Sequence, residues 1–214
     1  MKTFAIASGL ICTTILCSVG NPAEAANLVI NGGFEEPGLD ANTWKYFGAG
    51  EVPGWTPFEG STIEIRNNVA GDAYEGGNFA ELDSHAYDKN ADAIGFFQDI
   101  VTEIGKEYKF SFAYGPREQK RVDGDNLFSA SFGSFNEEFD AGNSTDGWQL
   151  FSKTITAVDT TTRLQFLSLG DRDTYGANID DVSVVTVPEP FSVLGLGAVG
   201  LVGAAGALRK RLTA

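Results

Sequence analysis

Cysteine is nearly missing from this chain, and its two copies, Cys12 and Cys17, both fall inside an apolar N-terminal stretch. The rest of the protein therefore has neither a disulfide framework nor a cysteine-ligated metal, so stability has to come from a packed core. Histidine is just as scarce. His85 is the single copy, in a polar loop after Ser84, and no G-x-S-x-G sequence occurs. A serine or cysteine triad is hard to assemble from this inventory, and histidine-based zinc catalysis lacks its usual two or three ligands. Glycosidase chemistry stays open, because it asks only for two suitably spaced carboxylates. Cations are the third shortage, with 15 Lys and Arg against 29 Asp and Glu. Setting aside Lys2, Arg209, Lys210, Arg211, Glu24 and Glu189 leaves 11 cations and 27 anions between the two ends, a net charge near −16. Such a surface repels phosphate backbones and argues against nucleic acid as a partner. It suits neutral glycans or divalent cations, and equally an ordinary solvated acidic face.

Long apolar runs are confined to the two ends. Met1-Lys2-Thr3 precedes an apolar run from Phe4 to Val19, then Asn21-Pro22 and Ala23-Glu24-Ala25. A basic start, a short apolar core and an A-x-A site predict a secretory leader over residues 1–25, cleaved after Ala25. The run is shorter than the roughly 20 residues of a spanning helix. Ile11 and Leu16 before the two cysteines disfavour lipidation. At the other end an apolar stretch rich in Gly, Ala, Leu and Val covers 191–208 and stops at Arg209-Lys210-Arg211. At 1.5 Å per residue it spans roughly 27 Å, enough for a hydrocarbon core, and the basic cluster is expected to stay cytoplasmic. Pro188-Glu189-Pro190, this apolar segment and the terminal cations, taken in order, resemble the PEP-CTERM sorting signal of Gram-negative bacteria. The resemblance implies a 188–214 sorting tail, inserted transiently in the inner membrane and recognised by an exosortase, a membrane-embedded cysteine transpeptidase. It also implies cleavage near the PEP motif, with release or attachment at the cell surface.

Residues 26–187 are long enough for one domain with a real core. Period-two alternation recurs at 62–66, 107–114, 148–152 and 163–167, and further strands are expected at 28–34, 79–83, 96–101, 127–132 and 179–187. Gly, Asn and Asp clusters separate them, and Asn143-Ser144-Thr145 reads as loop. Eight to ten short strands without helical periodicity predict an all-β antiparallel sandwich of jelly-roll type.

The domain opens with Asn31-Gly32-Gly33-Phe34-Glu35 and closes with Ile179-Asp180-Asp181-Val182-Ser183-Val184. The pairing resembles the carbohydrate-binding jelly-roll modules, of galactose-binding-like fold, that are appended to xylanases and cellulases. Pro53-Gly54-Trp55, Ala80-Glu81-Leu82-Asp83-Ser84, Phe97-Gln98-Asp99-Ile100 and Tyr114-Gly115-Pro116-Arg117 also resemble β-sandwich domains of plant cell walls and bacterial exported proteins. In a jelly roll the first and last strands can lie side by side, which would bring Glu35 and the Asp180-Asp181 pair to one rim. The resemblance implies a structural Ca²⁺ there, held by Glu35 and Asp180 and, less firmly matched, Asp181; carboxylate and carbonyl oxygens suit that ion. The alternative is two aspartates flanking a bulge and facing solvent.

Sugar binding needs exposed aromatic rings beside polar groups that read hydroxyls. Trp44, Tyr46, Trp55 and Trp148 are the candidate rings, with Glu81 and Arg117 as polar partners. Trp55, after Pro-Gly, and Trp148 fit core packing as well or better, and Arg117 enters a charged loop that could be a solvated turn. The expectation is an exported, non-catalytic, calcium-stabilised domain that binds extracellular or cell-envelope polysaccharide. A matrix or biofilm protein with no sugar ligand is the alternative, and a glycoside-active enzyme a further one.

Overall fold

The structure is a computed structural model that describes residues 25–83, 91–117, 126–142 and 146–188. Most of the leader with Ala23, His85, residues 143–145, Glu189, Pro190 and the tail with Arg209, Lys210 and Arg211 lie outside the described residues.

Eleven strands and no helix occur among the described residues. They are β1 (Thr43–Phe47), β2 (Thr56–Pro57), β3 (Ile63–Asn67), β4 (Asn78–Glu81), β5 (Gly95–Val101) and β6 (Glu107–Gly115), followed by β7 (Leu127–Phe132), β8 (Phe135–Asp140), β9 (Gln149–Thr156), β10 (Thr161–Ser168) and β11 (Asn178–Thr186). One sheet runs β1-β3-β4-β11-β6-β9 and the other β2-β5-β10-β7-β8, with every pairing antiparallel. From β4 onward the chain changes sheet at each connection except the β7–β8 hairpin. That alternation stacks the sheets as the expected antiparallel sandwich.

Alternation sets what each sheet buries. Along β6, Tyr108, Phe110 and Phe112 point inward while Glu107 and Lys109 point out. Phe112 sits at the centre of the core, with its ring 5.0 to 6.2 Å from those of Phe110, Tyr114, Phe128, Phe139, Phe151 and Phe166. Burial of these rings and their edge-to-face contacts supply the stability that sulfur chemistry does not.

The strand expected at 28–34 takes another form. The segment does run beside β11, with Leu28 N donating to Val184 O at 2.8 Å and Val182 N to Gly32 O at 3.0 Å. It is a chain of turns rather than a ladder, because Asn31 and Phe34 both have φ of 55°. The contact with β11 is close: a Cβ on Gly32 would lie 2.0 Å from Val182 O, so only glycine fits. Strands β1, β2 and β8 were not expected from sequence.

Candidate functional site

The outward face of the six-stranded sheet carries the chemistry. In β3, Ile63 and Ile65 point into the core, so Glu64 and Arg66 must point out. The register sets Tyr46 opposite Glu64, Trp44 opposite Arg66, Glu64 opposite Glu81, and Asn178 opposite Glu81. Trp44 and Tyr46, two residues apart on β1, therefore share a face, with ring centroids 5.0 Å apart. Trp44 is 48% exposed. The two rings form one wall of a cavity of about 280 Å³, with Glu64, Arg66 and Arg117 below. Loops bearing Ala70 and Thr174 form the rest of its rim.

Beneath this cavity lies a buried network of four charges. Arg66 ion-pairs with both Glu64 and Glu81. Arg117 Nη1 donates to both Glu81 oxygens at 2.6 Å, and its guanidinium lies 4.5 Å from the Tyr175 ring centroid. Burial first, and then the charge of Glu81, push the Glu64 carboxyl up to about 7, against the opposing pull of Arg66 and Arg117. Burial, and next the Glu64 charge, raise the Tyr46 hydroxyl as well.

The network also holds the rim loops. Arg66 Nη1 donates to Val69 O at 3.3 Å and Arg117 Nη1 to Thr174 O at 3.2 Å, while Glu81 Oε1 accepts Gly176 N at 3.0 Å. Asp83, fully buried, adds two more bonds: its Oδ2 accepts Asp173 N at 2.9 Å and Thr174 N at 2.7 Å. Ala70 has φ of 58° and Thr174 of 78°. A β-branched residue in the left-handed region is strained by roughly 1–3 kcal/mol, a cost met only where surroundings enforce it, and such sites cluster at ligand clamps. Both of these outliers line the same cavity.

The sequence-derived candidates divide accordingly. Trp44, Tyr46, Glu81 and Arg117 come together, although Glu81 is buried under the arginines and reaches the cavity only through them. Trp55 is elsewhere: 1% exposed, stacked on Phe34 at 5.3 Å, it donates Nε1–H to Asn31 O at 2.9 Å and is a core residue. Trp148, favoured as core, instead lies half-buried on the outer face. It covers Phe79 edge-on at 5.9 Å, donates to Asp72 O at 2.9 Å, and borders a neighbouring cavity of about 220 Å³. Sequence reading missed Glu64, Arg66, Asp83, Ala70 and Thr174. For the first two the signal was available, as charges at the outward positions of an Ile-x-Ile strand.

Glu35 and Asp180 both lie near Gly33: a Cβ there would be 3.8 Å from Asp180 Oδ1 and 4.0 Å from Glu35 Cγ. Glu35 Oε1 accepts Gly77 N and Asn78 N at 2.8 and 2.9 Å; Asp180 Oδ2 accepts Tyr74 N and Glu75 N at 2.9 and 3.0 Å, and its Oδ1 accepts Asp181 N at 2.7 Å. Burial pushes the Asp180 carboxyl up to about 7 against those three N–H bonds. A bulge does follow Asp180, yet that residue is fully buried; Asp181, with φ of 46°, is partly exposed. Among the described residues no group of three or more His, Cys, Asp or Glu side chains is placed to hold a metal.

No family model and no curated protein matches the chain. Solved structures similar to it include a CBM4 structure, at 19% identity and a TM-score of 0.42, over 74% of this chain and 99% of that one. A family 16 carbohydrate-binding module matches at 14% identity and a TM-score of 0.47, over 74% of this chain and 99% of that one. TmCBM61 in complex with beta-1,4-galactotriose matches at 14% and 0.44, over 76% and 100%.

Proposed function

We propose that this is an exported, non-catalytic glycan-binding protein whose ligand site is the cavity walled by Trp44 and Tyr46. The observation that carries this reading is the convergence on one cavity of exposed Trp44 with half-buried Tyr46, buried charged side chains and two strained rim residues. A pyranose face stacks on Trp44, burying apolar C–H surface, while Tyr46 and the Arg117 guanidinium read its hydroxyls. The floor holds two cations and two anions, which suits a neutral sugar. Glu64 and Glu81 are each 1% exposed and ion-paired with Arg66. That pairing supports binding over catalysis, since a general acid or nucleophile has to reach the scissile bond.

Export by the leader, brief anchoring through 191–208 and processing by an exosortase-type enzyme complete the proposal; these rest on the sequence of the two ends. Ca²⁺ would be held by Glu35 and Asp180 with backbone carbonyls, Asp181 being less well placed. What supports it is charge: Asp180 is fully buried with N–H partners only and no cation paired to it among the described residues, and Glu35 Oε2 accepts no hydrogen bond among them. When bound, the ion supplies the counter-charge and ties the opening segment to β11 and the 72–78 loop. If so, EDTA lowers the melting midpoint of the domain and added Ca²⁺ restores it; an unchanged midpoint removes the ion from the proposal.

Screening residues 26–187 against a polysaccharide panel tests the main reading. Binding to a neutral glycan that Trp44→Ala weakens at least tenfold is expected. No binding to any glycan would leave the matrix-protein alternative, and release of reducing sugar would favour the enzyme.

A further inference from the structure

The glycan cavity and the point where the chain leaves the sandwich lie at opposite ends of β11. Asn178, its first residue, pairs with Gly115 and Glu81 beside the cavity, whereas Thr186, its last, pairs with Tyr108. Val187 N then bonds Glu107 O at 2.9 Å. Nine residues of strand separate the two ends by about 27 Å.

The exit end is unusual in what it exposes. Val101 is 78% exposed, Ile104 66% and Val158 57%. Hydrogen bonds hold them on adjoining turns: Thr102 N to Thr160 O at 3.0 Å, Gly105 N to Ala157 O at 2.8 Å and Ala157 N to Lys106 O at 2.9 Å. Three apolar side chains therefore project from rigid turns beside Glu107, where the chain departs.

Only Pro188, Glu189 and Pro190 stand between Val187 and the apolar run that begins at Phe191. Three residues reach at most about 11 Å even when fully extended. The headgroup layer alone is about 5–7 Å deep on each side of the hydrocarbon. The linker therefore leaves at most about 4–6 Å between the exit end of the sandwich and the headgroups, which holds that end within side-chain reach of the bilayer.

We infer that, while the chain is tethered, the end of the sandwich bearing Val101, Ile104 and Val158 is seated in the lipid interface, with the glycan cavity facing away from the membrane. This rests on the reading of 191–208 as a membrane span. The tether sets a high effective concentration, so three small side chains suffice without intrinsic affinity. The charges at this end are Glu103, paired with Lys106 at 2.6 Å, and Glu107 and Asp159. Their net negative sign matches a zwitterionic lipid surface better than an anionic one. Once the tail is cut at the PEP motif, the tether and with it the contact are lost.

Residues 26–214 contain no cysteine, so a single introduced thiol can be labelled with an environment-sensitive fluorophore. Variants Ile104→Cys, Val158→Cys and, as a control at the other end, Leu169→Cys (45% exposed) are reconstituted into phosphatidylcholine vesicles carrying nitroxide-quencher lipids. Labels at 104 and 158 are expected to lose at least half of their emission to the quencher, and the label at 169 to lose none. Equal behaviour at all three positions on protein-bearing vesicles would overturn the orientation while leaving the tether intact. Failure of the chain to float with the vesicles would overturn the tether and the inference together.

Discussion

Asp83 offers the sharpest test of how the rim is held. Its carboxylate is fully buried, and Oδ1 has no hydrogen-bond partner among the described residues while Oδ2 accepts two backbone N–H groups from the strained loop. Burial outweighs those two bonds and, with the nearby charges of Asp173 and Glu81, raises this carboxyl from 3.8 to about 6. The native state therefore holds a proton more tightly than the unfolded chain does. Stability from this group is fully present below its ordinary value and is lost as pH rises through about 6. Between about pH 4.5 and about pH 7 the loss comes to about 2 kcal/mol. Asp83→Asn keeps an acceptor for Asp173 N and Thr174 N but cannot titrate. Urea denaturation of both proteins at the two pH values isolates the effect. Glu64, raised to about 7, makes both proteins less stable at the higher pH, and its contribution cancels in the comparison. Wild type should lose about 2 kcal/mol more than Asp83→Asn over this range. A difference between the two proteins that does not change with pH would refute the assignment of a buried, proton-holding carboxyl to Asp83.

Glu81→Gln should destabilise the domain by about 3–5 kcal/mol in urea denaturation, because Arg117 is left buried without its counter-charge and Arg66 keeps only Glu64. Phe112→Ala should cost a similar ~3–5 kcal/mol, read the same way, since six ring neighbours surround the hole and cannot all collapse into it. Gly76→Ala should both lower the melting midpoint and abolish the Ca²⁺ response proposed for it: φ is 64°, and a Cβ there would lie 2.1 Å from Glu35 Oε1, driving that carboxylate out of place.

The sandwich was legible because each long strand declares its own inward face. Glu107 to Phe112 alternates charged or polar with aromatic, and the fold buries the aromatic set against the facing sheet. Short strands escaped for the same reason: Thr56-Pro57 has no period to read, and Thr43 to Phe47 lies in Asn- and Gly-rich surroundings that look like loop. Trp44 and Tyr46 could be picked from composition, but their placement over Glu64 and Arg66 depends on the β1–β3 register, which local sequence does not contain. Trp55 and Trp148, which both fit the core on sequence, part ways because a tryptophan's surroundings are set by which layer its segment joins. Pro53-Gly54 turns Trp55 inward onto Phe34, whereas Gly115, whose missing Cβ would lie 3.3 Å from the Trp148 ring, leaves Trp148 room on the outer face. Asp83 stands inside the Ala80–Ser84 resemblance, but its role could not be read there, since it holds a loop 90 residues away.

A buried four-charge network is a costly way to stabilise a sheet face, for apolar side chains of the same volume would serve the fold as well or better. Its use here lies in where the hydrogen bonds go. Arg66 reaches the Ala70 loop through Val69 O, Arg117 reaches Thr174 O, and Glu81 reaches Gly176 N. Each bond ends on the backbone of a rim loop, and apolar replacements could make none of them. The charges thus convert sheet register, which is rigid, into the shape of a cavity built on strained loops. The aromatic wall at Trp44 and Tyr46 and the outliers at Ala70 and Thr174 share one cavity, and under the proposed function ring stacking is only as selective as the rim that fixes a ligand's tilt against it.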